Sequence, residues 1–407
     1  MNYKINTKEE LENFVFEHFN DVNSYIEKLS ENLPIPFYSS VDVRESKTKY
    51  APVDNNLYPA GFNNICSADF ADAVITMKAA VSKHRPNAKT VGIIPESHTK
   101  NLMYLDHLSA LRKIIEDAGF EVTFLTYDPN LFTETESDVI NLVSNNGSEL
   151  SLYRAELKDG AIYGNNIALD FVICNNDQSN PLPVNWDEVT TVVSPTPKIG
   201  WFRRQKNIHF AYYKKVADEF CEHFNIDPTL IQAKFRAVDD VDFEAKEGLD
   251  KLGSAVDELI SELKPESKVF VKASQGTYGM GISVVGSGEE IINMNRKTRN
   301  KMDVGKNSIK FTSILVQEGV ETIIKYDDKP AEITIYLVDG RSIGGFMRIN
   351  GERDSIGNLN SRGMVFKKLC MGDVKNLAQD HTIKEALYSV LARLSTIAAA
   401  YEIKEVL

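Results

Sequence analysis

The stretch Val269–Val285, V-F-V-K-A-S-Q-G-T-Y-G-M-G-I-S-V-V, carries the strongest clue to the fold. A run of β-type residues ends at Lys272, a loop contains Gly276, Gly279 and Gly281, and a second β-type run follows. Glycine accepts a positive φ and has no Cβ, so backbone N–H groups in such a loop can approach a bound anion closely. The lysine adds a positive charge that suits a phosphate. The stretch predicts a hairpin lid over the phosphates of a nucleotide, with an ordinary flexible β-hairpin as the alternative.

Two common phosphate-binding loops do not match this stretch. A P-loop carries its lysine after the glycines, whereas Lys272 precedes them. A Rossmann fingerprint is followed by a helix, whereas Ile282–Val285 is β-type. The predicted order is therefore strand, lysine, glycine loop and strand.

The composition of the chain is that of a globular protein. Its 407 residues are enough for two or three domains. With 58 acidic against 46 basic residues and a formal net charge of −12, general affinity for nucleic acid or an anionic membrane is not expected. No apolar run approaches the roughly 20 residues that span a bilayer, and Met1–Glu10 is too polar for a signal peptide. We expect a cytoplasmic protein.

The four cysteines, Cys66, Cys174, Cys221 and Cys370, are scattered along the chain. They form no C-x-x-C pair and have no histidine at metal-binding spacing. Each is predicted to be a small buried hydrophobic residue in a reducing compartment. A zinc site is not expected.

The N-terminal segment predicts a long helix followed by a β-hairpin. Thr7 and Glu10 form a capping-box signal, apolar residues then recur at helical spacing, and Pro34 ends the pattern. Ser39–Arg44 alternates like a strand, and Tyr50–Val53 reads as the returning strand. The hairpin leads into a turn rich in aspartate and asparagine.

From Lys89 onward the pattern changes to alternating strands and helices. Thr90–Ile94 is a predicted strand, Leu102–Ala118 a helix and Glu121–Tyr127 a second strand, and Leu169–Cys174 adds another buried strand. This β-α-β order predicts a parallel sheet.

The C-terminal part predicts an antiparallel hairpin of Ala331–Val338 with Arg341–Ile349, and then a long helix over Ile383–Leu407. Glu332 and Arg348 stand on the paired strands. The guanidinium could hold a transferring phosphate through two hydrogen bonds. A cross-strand salt bridge is the alternative.

Two further segments suit a nucleotide site. Leu315–Glu321, L-V-Q-E-G-V-E, is an apolar strand that turns polar, as an adenine-binding hinge does, with Glu318 or Glu321 facing a ribose hydroxyl. An ordinary strand end is the alternative. The loop Gly357–Gly363, G-N-L-N-S-R-G, is able to hydrogen-bond a carboxylate or a phosphate.

Taken in this order, the motifs resemble those of the ATP-grasp ligases, with glutathione synthetases and ribosomal-protein glutamate ligases closest in arrangement. The resemblance runs from about Thr90 to Ala400 and includes a lysine placed at Lys206. It implies a mixed α/β and α+β protein with a pre-ATP-grasp α/β domain. The implied domains are residues 1–65, 66–200 and 201–407, with a lid subdomain over about 235–312.

One part of the ATP-grasp pattern is missing from the C-terminal end. Members of that superfamily follow the asparagine loop with strands whose acidic residues hold Mg²⁺, but this chain ends at a helix. Its N-terminus carries a similar piece, with Asp42 on one strand and then Asp54-x-Asn56. We therefore expect a circular permutation in which Asp42, Asp54 and Asn56 bind Mg²⁺, an ion with few oxygen ligands from protein. An Asx-rich turn is the alternative.

A second resemblance covers essentially the whole chain. Pro52–Asn64, Lys272–Ile282 and Asn358–Met364 are similar to segments of the ATP-grasp-like bacterial glutamate-cysteine ligases. That family joins the γ-carboxyl of L-glutamate to the amine of L-cysteine through an acyl phosphate, which is the first step of glutathione biosynthesis. The resemblance implies ATP and Mg²⁺ as cofactors, and catalysis by positioning and electrostatics.

The motifs and the resemblance assign the following roles. Catalysis is assigned to Arg348, Lys272 and Asn358. Nucleotide binding is assigned to Lys206, Lys272, Gly276, Tyr278, Gly279, Gly281, Gln317, Glu318, Val320 and Glu321. Substrate binding is assigned to Asn63, Asn64, Arg203, Arg204, Asn360 and Arg362, and metal binding to Asp42, Asp54 and Asn56.

Several alternatives stay open at this point. Arg203, Arg204 and His209 could bind substrate carboxylates or solvate the start of a helix. Another amino-acid ligase such as a glutathione synthetase, or a nucleotide-binding regulator without turnover, would share the ATP motifs. The expected partners are small molecules, not nucleic acid or membrane, and the residues are compatible with a homo-oligomer.

Overall fold

The computed structural model describes residues 4–133, 137–275, 281–303, 313–371 and 379–407. The described helices are α1 (Lys8–Glu17), α2 (Phe19–Ser30), α3 (Phe70–His84), α4 (Leu102–Asp117), α5 (Lys206–Phe224), α6 (Leu249–Ser261), α7 (Gly288–Ile292), α8 (Arg296–Asp303) and α9 (Gln379–Lys404). None of the helices in these ranges combines the length and apolar character that a membrane span requires.

The described strands are β1 (Tyr38–Glu45), β2 (Tyr50–Asn56), β3 (Thr90–Pro95), β4 (Glu121–Thr126), β5 (Val139–Val143), β6 (Glu149–Arg154), β7 (Glu156–Lys158), β8 (Ala161–Gly164), β9 (Ile167–Ala168), β10 (Phe171–Asn175), β11 (Val192–Ser194), β12 (Phe235–Val238), β13 (Val269–Ala273), β14 (Ile282–Val285), β15 (Ile314–Glu318), β16 (Lys325–Tyr326), β17 (Lys329–Val338), β18 (Arg341–Asn350) and β19 (Met364–Leu369). The short strands β7, β8 and β9 form a small sheet of their own.

The first large sheet joins the two ends of the chain. Its strand order is β19-β18-β17-β1-β2, with β16 paired to β17. The N-terminal hairpin β1–β2 lies antiparallel to β17, which places Asp42 opposite Thr334 on one side and opposite Asp54 on the other. Both predicted hairpins, β1–β2 and β17–β18, are confirmed. Residues nearly 300 positions apart in sequence thus become neighbours on one sheet face.

The second sheet has the order β11-β10-β3-β4-β6-β5. Its neighbours from β11 to β6 run parallel, and only the edge strand β5 is antiparallel. Helices α3 and α4 contribute Met77, Leu111 and Ile115 to a core that also contains Ile93 from the sheet. The predicted parallel sheet is confirmed.

The third sheet, β12-β15-β13-β14, is antiparallel and carries Lys272. Leu252, Val256 and Leu259 recur at helical spacing on α6 and pack with Val271 and other strand residues in a separate core. β13 and β14 are the two strands predicted on either side of the glycine loop, and their pairing is confirmed.

Helices α1, α2, α5 and α9 share a core with the first sheet. The predicted capping box at Thr7 and Glu10 is present, but the prediction of one continuous helix up to Pro34 is wrong. His18 adopts φ −109° and ψ 26°, which ends α1, and α2 starts at the next residue. The change of direction still buries Val22 and Ile26 in the same core, so apolar spacing alone did not reveal it.

The prediction that all four cysteines are unpaired is also wrong. Cys66 and Cys370 form a disulfide with a Cα–Cα distance of 5.1 Å across a sequence separation of 304 residues. Cys174 and Cys221 are free and buried, as predicted. Sequence spacing carries no information on such a pair, because the fold alone brings the segment before α3 to the end of β19.

Reduction of the Cys66–Cys370 bond is expected to lower the melting temperature. A disulfide that closes a long loop restricts the unfolded chain and contributes about 2–4 kcal/mol. Thermal melts of the wild type with and without dithiothreitol should therefore differ by several degrees. Cys66→Ser should melt at the lower temperature in both conditions, and an equal response of the two proteins to reductant would contradict the prediction.

Candidate functional site

A cleft opens between the first and third sheets, where the two ends of the chain meet the glycine hairpin. The residues that line it are Asp42, Arg44, Val53, Asp54, Lys206, Phe270, Lys272, Ile282, Gln317, Glu318, Val320, Glu332, Asn358 and Asn360. They come from β1 and β2, the start of α5, the third sheet with its hinge, β17 and the loop after β18. The cleft brings together most of the sequence-predicted phosphate, hinge and acidic residues.

Lys272 is buried at the floor of this cleft. Its Nζ donates to the main-chain oxygen of Val53 at 2.9 Å and to Oε1 of Gln317 at 2.7 Å. Burial lowers the pKa of Lys272 to about 8, although the nearby Asp54 carboxylate opposes the shift. A buried ammonium held mainly by neutral oxygens is suited to an anionic ligand.

Lys206 is the first residue of α5 and forms an ion pair with Asp54. The backbone N–H of Lys206 also donates to the oxygen of Ser274 at 2.8 Å, which ties the start of α5 to the strand end before the glycine loop. Burial favours the neutral form of Asp54, but the ammonium groups of Lys206 and Lys272 outweigh it and lower the pKa of the carboxyl. Two lysines and one carboxylate therefore share one charged pocket.

Beside these lysines, a network of four charges crosses the first sheet. Arg348 lies opposite Glu332 on the paired strands, and its Nη1 donates to Glu332 Oε1 and to Asp42 Oδ2, both at 2.6 Å. Arg44 Nε donates to Glu332 Oε2 at 2.9 Å. The predicted cross-strand pairing of Glu332 with Arg348 is confirmed. Two arginines balance two carboxylates, as buried charges require.

The two carboxyls of this network respond differently to burial. Burial raises the pKa of Asp42, even though Arg348 pulls it down. For Glu332, Arg44 and Arg348 together outweigh the effect of burial, and its pKa is lowered. Arg44 also donates through Nη2 to the oxygen of Gly357 at 2.7 Å, so the network reaches the asparagine loop.

The hinge residues Gln317, Glu318 and Val320 line the cleft, whereas Glu321 does not. Gln317 is buried, and its Nε2 has no hydrogen-bond partner in the part of the chain that the structure describes. Lys49 binds both carboxylate oxygens of Glu318 at 2.8 Å. Glu321 accepts a hydrogen bond from Ser355 at 2.8 Å outside the cleft.

The predicted substrate residues are divided between the cleft and its surroundings. Asn360 lines the cleft with Asn358, and its backbone N–H donates to Asn358 Oδ1 at 3.0 Å. Arg204 is buried and bonded to Glu402. Asn63, Asn64, Arg203 and Arg362 are likewise absent from the residues that form the cleft wall.

Two of the three predicted metal ligands face each other in the cleft. Asp42 and Asp54 are direct cross-strand partners, and both line it. Asn56 does not line the cleft. Its Oδ1 accepts a hydrogen bond from the backbone N–H of Tyr58 at 2.9 Å, and its Nδ2 donates to the main-chain oxygen of Tyr58 at 3.2 Å. Asn56 thus forms the Asx-type turn that was the alternative. Among the described residues, no group of three or more His, Cys, Asp or Glu side chains is arranged to hold a metal ion.

The glycine loop is described only at its end. Gly276, Tyr278 and Gly279 lie outside the described residues. Gly281 has φ +62°, a conformation that glycine adopts without strain, and its oxygen accepts from Ala273 N–H at 2.8 Å. The hydrogen bond closes the loop onto β13 directly beside Lys272.

Sequence reasoning did not assign roles to Arg44, Glu332 and Phe270, which also line the cleft. The strand pattern of the sequence could have identified the two charged residues. Arg44 follows Asp42 by two positions on a strand and so shares its face, and Glu332 belongs to the paired strand already considered. Phe270 stands two residues before Lys272 on β13, and the same alternation would have found it.

A family model and one solved structure point to the same family. The family model described as "Glutamate-cysteine ligase" matches residues 12–403. A crystal structure from Methylobacillus flagellatus, of a protein provisionally assigned as a gamma-glutamylcysteine synthetase, is 32% identical with a TM-score of 0.86 and covers 97% of this chain and 96% of that one. No curated protein sequence matches the chain.

Two other solved structures are more distant. A glutathione synthetase-like effector from Globodera pallida is 12% identical with a TM-score of 0.41, covering 87% of this chain and 81% of that one. The D-alanyl-alanine synthetase A of Vibrio cholerae is 11% identical with a TM-score of 0.37, covering 78% and 81%. Both similarities are too weak to support a conclusion.

Proposed function

Because the chain belongs to the glutamate-cysteine ligase family, we propose that the cleft between the first and third sheets is where it binds ATP and joins its two amino acids. The enzyme is an ATP-dependent ligase that links the γ-carboxyl of L-glutamate to the amine of L-cysteine, the first step of glutathione biosynthesis. The observation that carries the location is the pair of lysines, Lys206 and Lys272, converging on Asp54.

Lys206 and Lys272 are proposed to bind the phosphates of ATP. Both ammonium groups line the cleft, and the strand end beside them leads into the glycine loop. A phosphate chain would replace Asp54 as the partner of Lys206 and supply the negative charge that Lys272 lacks. Gln317 to Val320 are proposed to bind adenine and ribose, with the Nε2 of Gln317 as a hydrogen-bond donor.

Asp42 and Asp54 are proposed to hold Mg²⁺. The donor set fits this ion, because Mg²⁺ takes hard oxygen ligands and is commonly held by one or two carboxylates together with substrate phosphates. The two aspartates are cross-strand partners in the cleft, next to both lysines. When bound, the ion supplies neutralisation of the charge that develops on the phosphates.

The reaction needs positioning more than a nucleophilic side chain. The γ-carboxylate of glutamate attacks the γ-phosphorus of ATP, the bond to the β-phosphate oxygen breaks, and ADP leaves. The amine of cysteine then attacks the acyl carbon, and phosphate is released. Asn358 and Asn360 are proposed to hydrogen-bond the acceptor groups. Arg348 is not among the residues that line the cleft, and it is proposed to fix Asp42 and Glu332 from behind its wall. Its role in stabilising the acyl phosphate stays a prediction.

We further propose that the architecture is a permuted ATP-grasp arrangement. In support, the N-terminal hairpin carries Asp42 and Asp54 into the same sheet as β17 and β18 from the C-terminal half. The proposed units are residues 1–65 and 201–407, which would form the ATP-binding part with a lid near 235–312, and residues 66–200, which form the second sheet and its helices. A cytoplasmic location and a homo-oligomeric state remain proposals.

Asp54→Asn is the variant that tests this function. Purified wild type supplied with ATP, Mg²⁺, L-glutamate and L-cysteine should form γ-glutamylcysteine with stoichiometric ADP. Asn keeps the shape of Asp54 but removes the carboxylate that faces Lys206 and Asp42, so we expect the rate to fall by about 10²-fold or more and the Mg²⁺ requirement to rise. Product and ADP are measured by coupled assay and mass spectrometry.

Asp257→Asn is not suitable as the control, because Asp257 accepts a hydrogen bond from Gly288. Asp250→Asn is better matched, since Asp250 is an exposed aspartate on α6 outside the cleft. It should retain the wild-type rate within about twofold. Normal Mg²⁺-dependent turnover in Asp54→Asn would remove Asp54 from the site, and ADP release without γ-glutamylcysteine would overturn the substrate assignment.

A further inference from the structure

Behind the cleft, a second charged cluster is buried between β2, α5 and α9. It contains Arg204, His209, Glu402 and Asn55, each no more than 3% exposed. The sequence predicts Arg204 as a ligand for a substrate carboxylate. Arg204 is instead buried in the interior, away from any substrate in the cleft.

The guanidinium of Arg204 is almost completely engaged by protein groups. Its Nε and Nη2 donate to the two oxygens of Glu402 at 2.9 and 3.0 Å, a bidentate pair. Its Nη1 donates to the main-chain oxygen of Asn55 at 2.8 Å, and Nη2 donates to the side-chain oxygen of Asn55, also at 2.8 Å. Arg204 therefore clamps one residue of β2 to the last turn of α9.

That residue lies directly beside the cleft. Side chains alternate across a strand, so Asn55 points away from the cleft while Asp54 points into it. The backbone N–H of Asn55 donates to Asp54 Oδ1 at 3.1 Å, and the same oxygen accepts from Lys206. The contacts run without interruption from Glu402 through Arg204 and Asn55 to the Asp54–Lys206 pair.

We propose that Glu402, acting through Arg204 and Asn55, is a positioning residue that sets the place of Asp54 and Lys206 for nucleotide and metal binding. The proposal rests on the proposed function of the cleft. It also changes the role of Arg204 from substrate ligand to clamp. A buried salt bridge is a poor source of stability compared with apolar residues of similar volume, so its value here lies in holding β2 in place.

Removal of the charge at Glu402 should shift the Arg204 side chain from its position between Asn55 and Glu402. Arg204 and His209 outweigh burial and lower the pKa of Glu402 to about 2, so the side chain is ionised at any assay pH near neutrality. In Glu402→Gln the guanidinium loses its counter-charge. Asp54 is a nearby carboxylate already under the influence of Arg204, so Arg204 is expected to compete with Lys206 for it.

The test is a comparison of Michaelis constants in the full-length enzyme. Glu402→Gln should raise the KM for ATP and the half-saturating Mg²⁺ concentration by about 10- to 100-fold, the usual effect of losing an outer-shell partner. The KM values for glutamate and cysteine should change by less than about twofold. ADP binding, measured by calorimetry with and without Mg²⁺, should weaken in parallel.

Two control variants separate positioning from general damage. Glu405→Gln alters an exposed glutamate three residues after Glu402, just beyond the end of α9. Its hydrogen-bond partner is Tyr212, and the variant should behave as wild type. Ser395→Ala removes a buried hydroxyl that bonds both Asn55 and His209 but leaves the Arg204–Glu402 pair intact. It should lower the melting temperature without changing the KM for ATP.

Three results would overturn the proposal. The first is a change in the KM for glutamate or cysteine without one for ATP, which would return Arg204 to the substrate. The second is Glu402→Gln kinetics equal to those of Glu405→Gln, and the third is Ser395→Ala reproducing the ATP defect. If Glu402→Gln does not fold, Glu402→Asp is tested in its place, because it keeps the charge and withdraws it by one methylene. An unchanged KM for ATP in Glu402→Asp would likewise overturn the proposal.

Failure of this inference can be told apart from failure of the proposed function. If Asp54→Asn retains normal turnover, the cleft assignment is wrong whatever Glu402→Gln does. If Asp54→Asn is inactive and Glu402→Gln is normal, only the positioning role is wrong.

Discussion

Lys272→Met is expected to lower kcat/KM for ATP by about 10²- to 10³-fold, the cost of removing one preorganised charge from the proposed phosphoryl-transfer site. Methionine fills a similar volume but cannot bind phosphate or donate to Val53 and Gln317. Lys264→Met, at an exposed lysine of the same part of the chain, should leave the rate within about twofold. Steady-state assays at fixed glutamate and cysteine measure both.

The pH dependence provides a second readout for Lys272. Because its pKa is lowered to about 8, the side chain is charged below pH 8 and loses its proton above it. Affinity for ATP should therefore fall as the pH rises from about 7 to 9, and this part of the profile should be missing in Lys272→Met. An identical profile in the two proteins would assign the titration to another group.

The same shift has a defined sign for stability. The unfolded chain keeps the Lys272 proton up to its ordinary pKa of 10.5, whereas the folded chain releases it near 8. Between these values the unfolded state binds more protons, so the contribution of Lys272 to the free energy of unfolding increases with rising pH, and below about pH 8 that contribution is constant. Urea titrations at pH 7.5 and 9.5 should show this gain in the wild type and not in Lys272→Met.

Arg348→Met is expected to be both inactive and unstable. Arg348 bridges Asp42 and Glu332, and its loss leaves the two carboxylates buried beside each other with Arg44 alone to balance them. Breaking a buried charge network in this way costs about 3–5 kcal/mol. Activity should fall by about 10³-fold, because Asp42 also loses its position in the cleft. Urea unfolding and the product assay measure the two effects.

Acid should partly rescue the stability of Arg348→Met, because protonation of the uncompensated Asp42 and Glu332 removes their repulsion. In the wild type acid has the opposite effect on stability. The pKa of Glu332 is lowered in the folded state, so its contribution to the free energy of unfolding is lost as the pH falls through that lowered pKa. Arg341→Met, at an exposed arginine at the start of the same strand, is the matched control. Equal stability of Arg348→Met and Arg341→Met at pH 8 would contradict the network.

The local elements of this protein were predictable because each is specified by nearby residues. The β-type runs on either side of the glycine loop predict the two strands of that hairpin. The runs Ala331–Val338 and Arg341–Ile349 predict the second hairpin, in which Glu332 faces Arg348. The resemblance to a metal-binding hairpin predicts Asp42 and Asp54 as metal ligands. The structure brings both into the cleft, and the metal-binding role stays a prediction. These features depend on periodicity and on short motifs, which a sequence displays directly.

Two contacts that the sequence did not reveal join residues distant in sequence. The pairing of Cys66 with Cys370 has no local signature, and neither does the burial of Arg204 against Glu402. Asn56 was assigned by motif to a metal, but its amide closes a turn with Tyr58. A side-chain type at a motif position indicates what chemistry is available and does not show which neighbour will use it.

The sequence by itself determined the classes of element, the two strands that flank the glycine loop after Lys272 and the family to which the chain belongs. Only the tertiary structure decided that β1 and β2 complete the C-terminal sheet, so that Asp54 meets Lys206 and Glu402 stands behind both. The physical reason is that helical and strand periodicities arise from interactions over a few residues. Compensation of buried charges depends on which distant segments the folded core brings into contact.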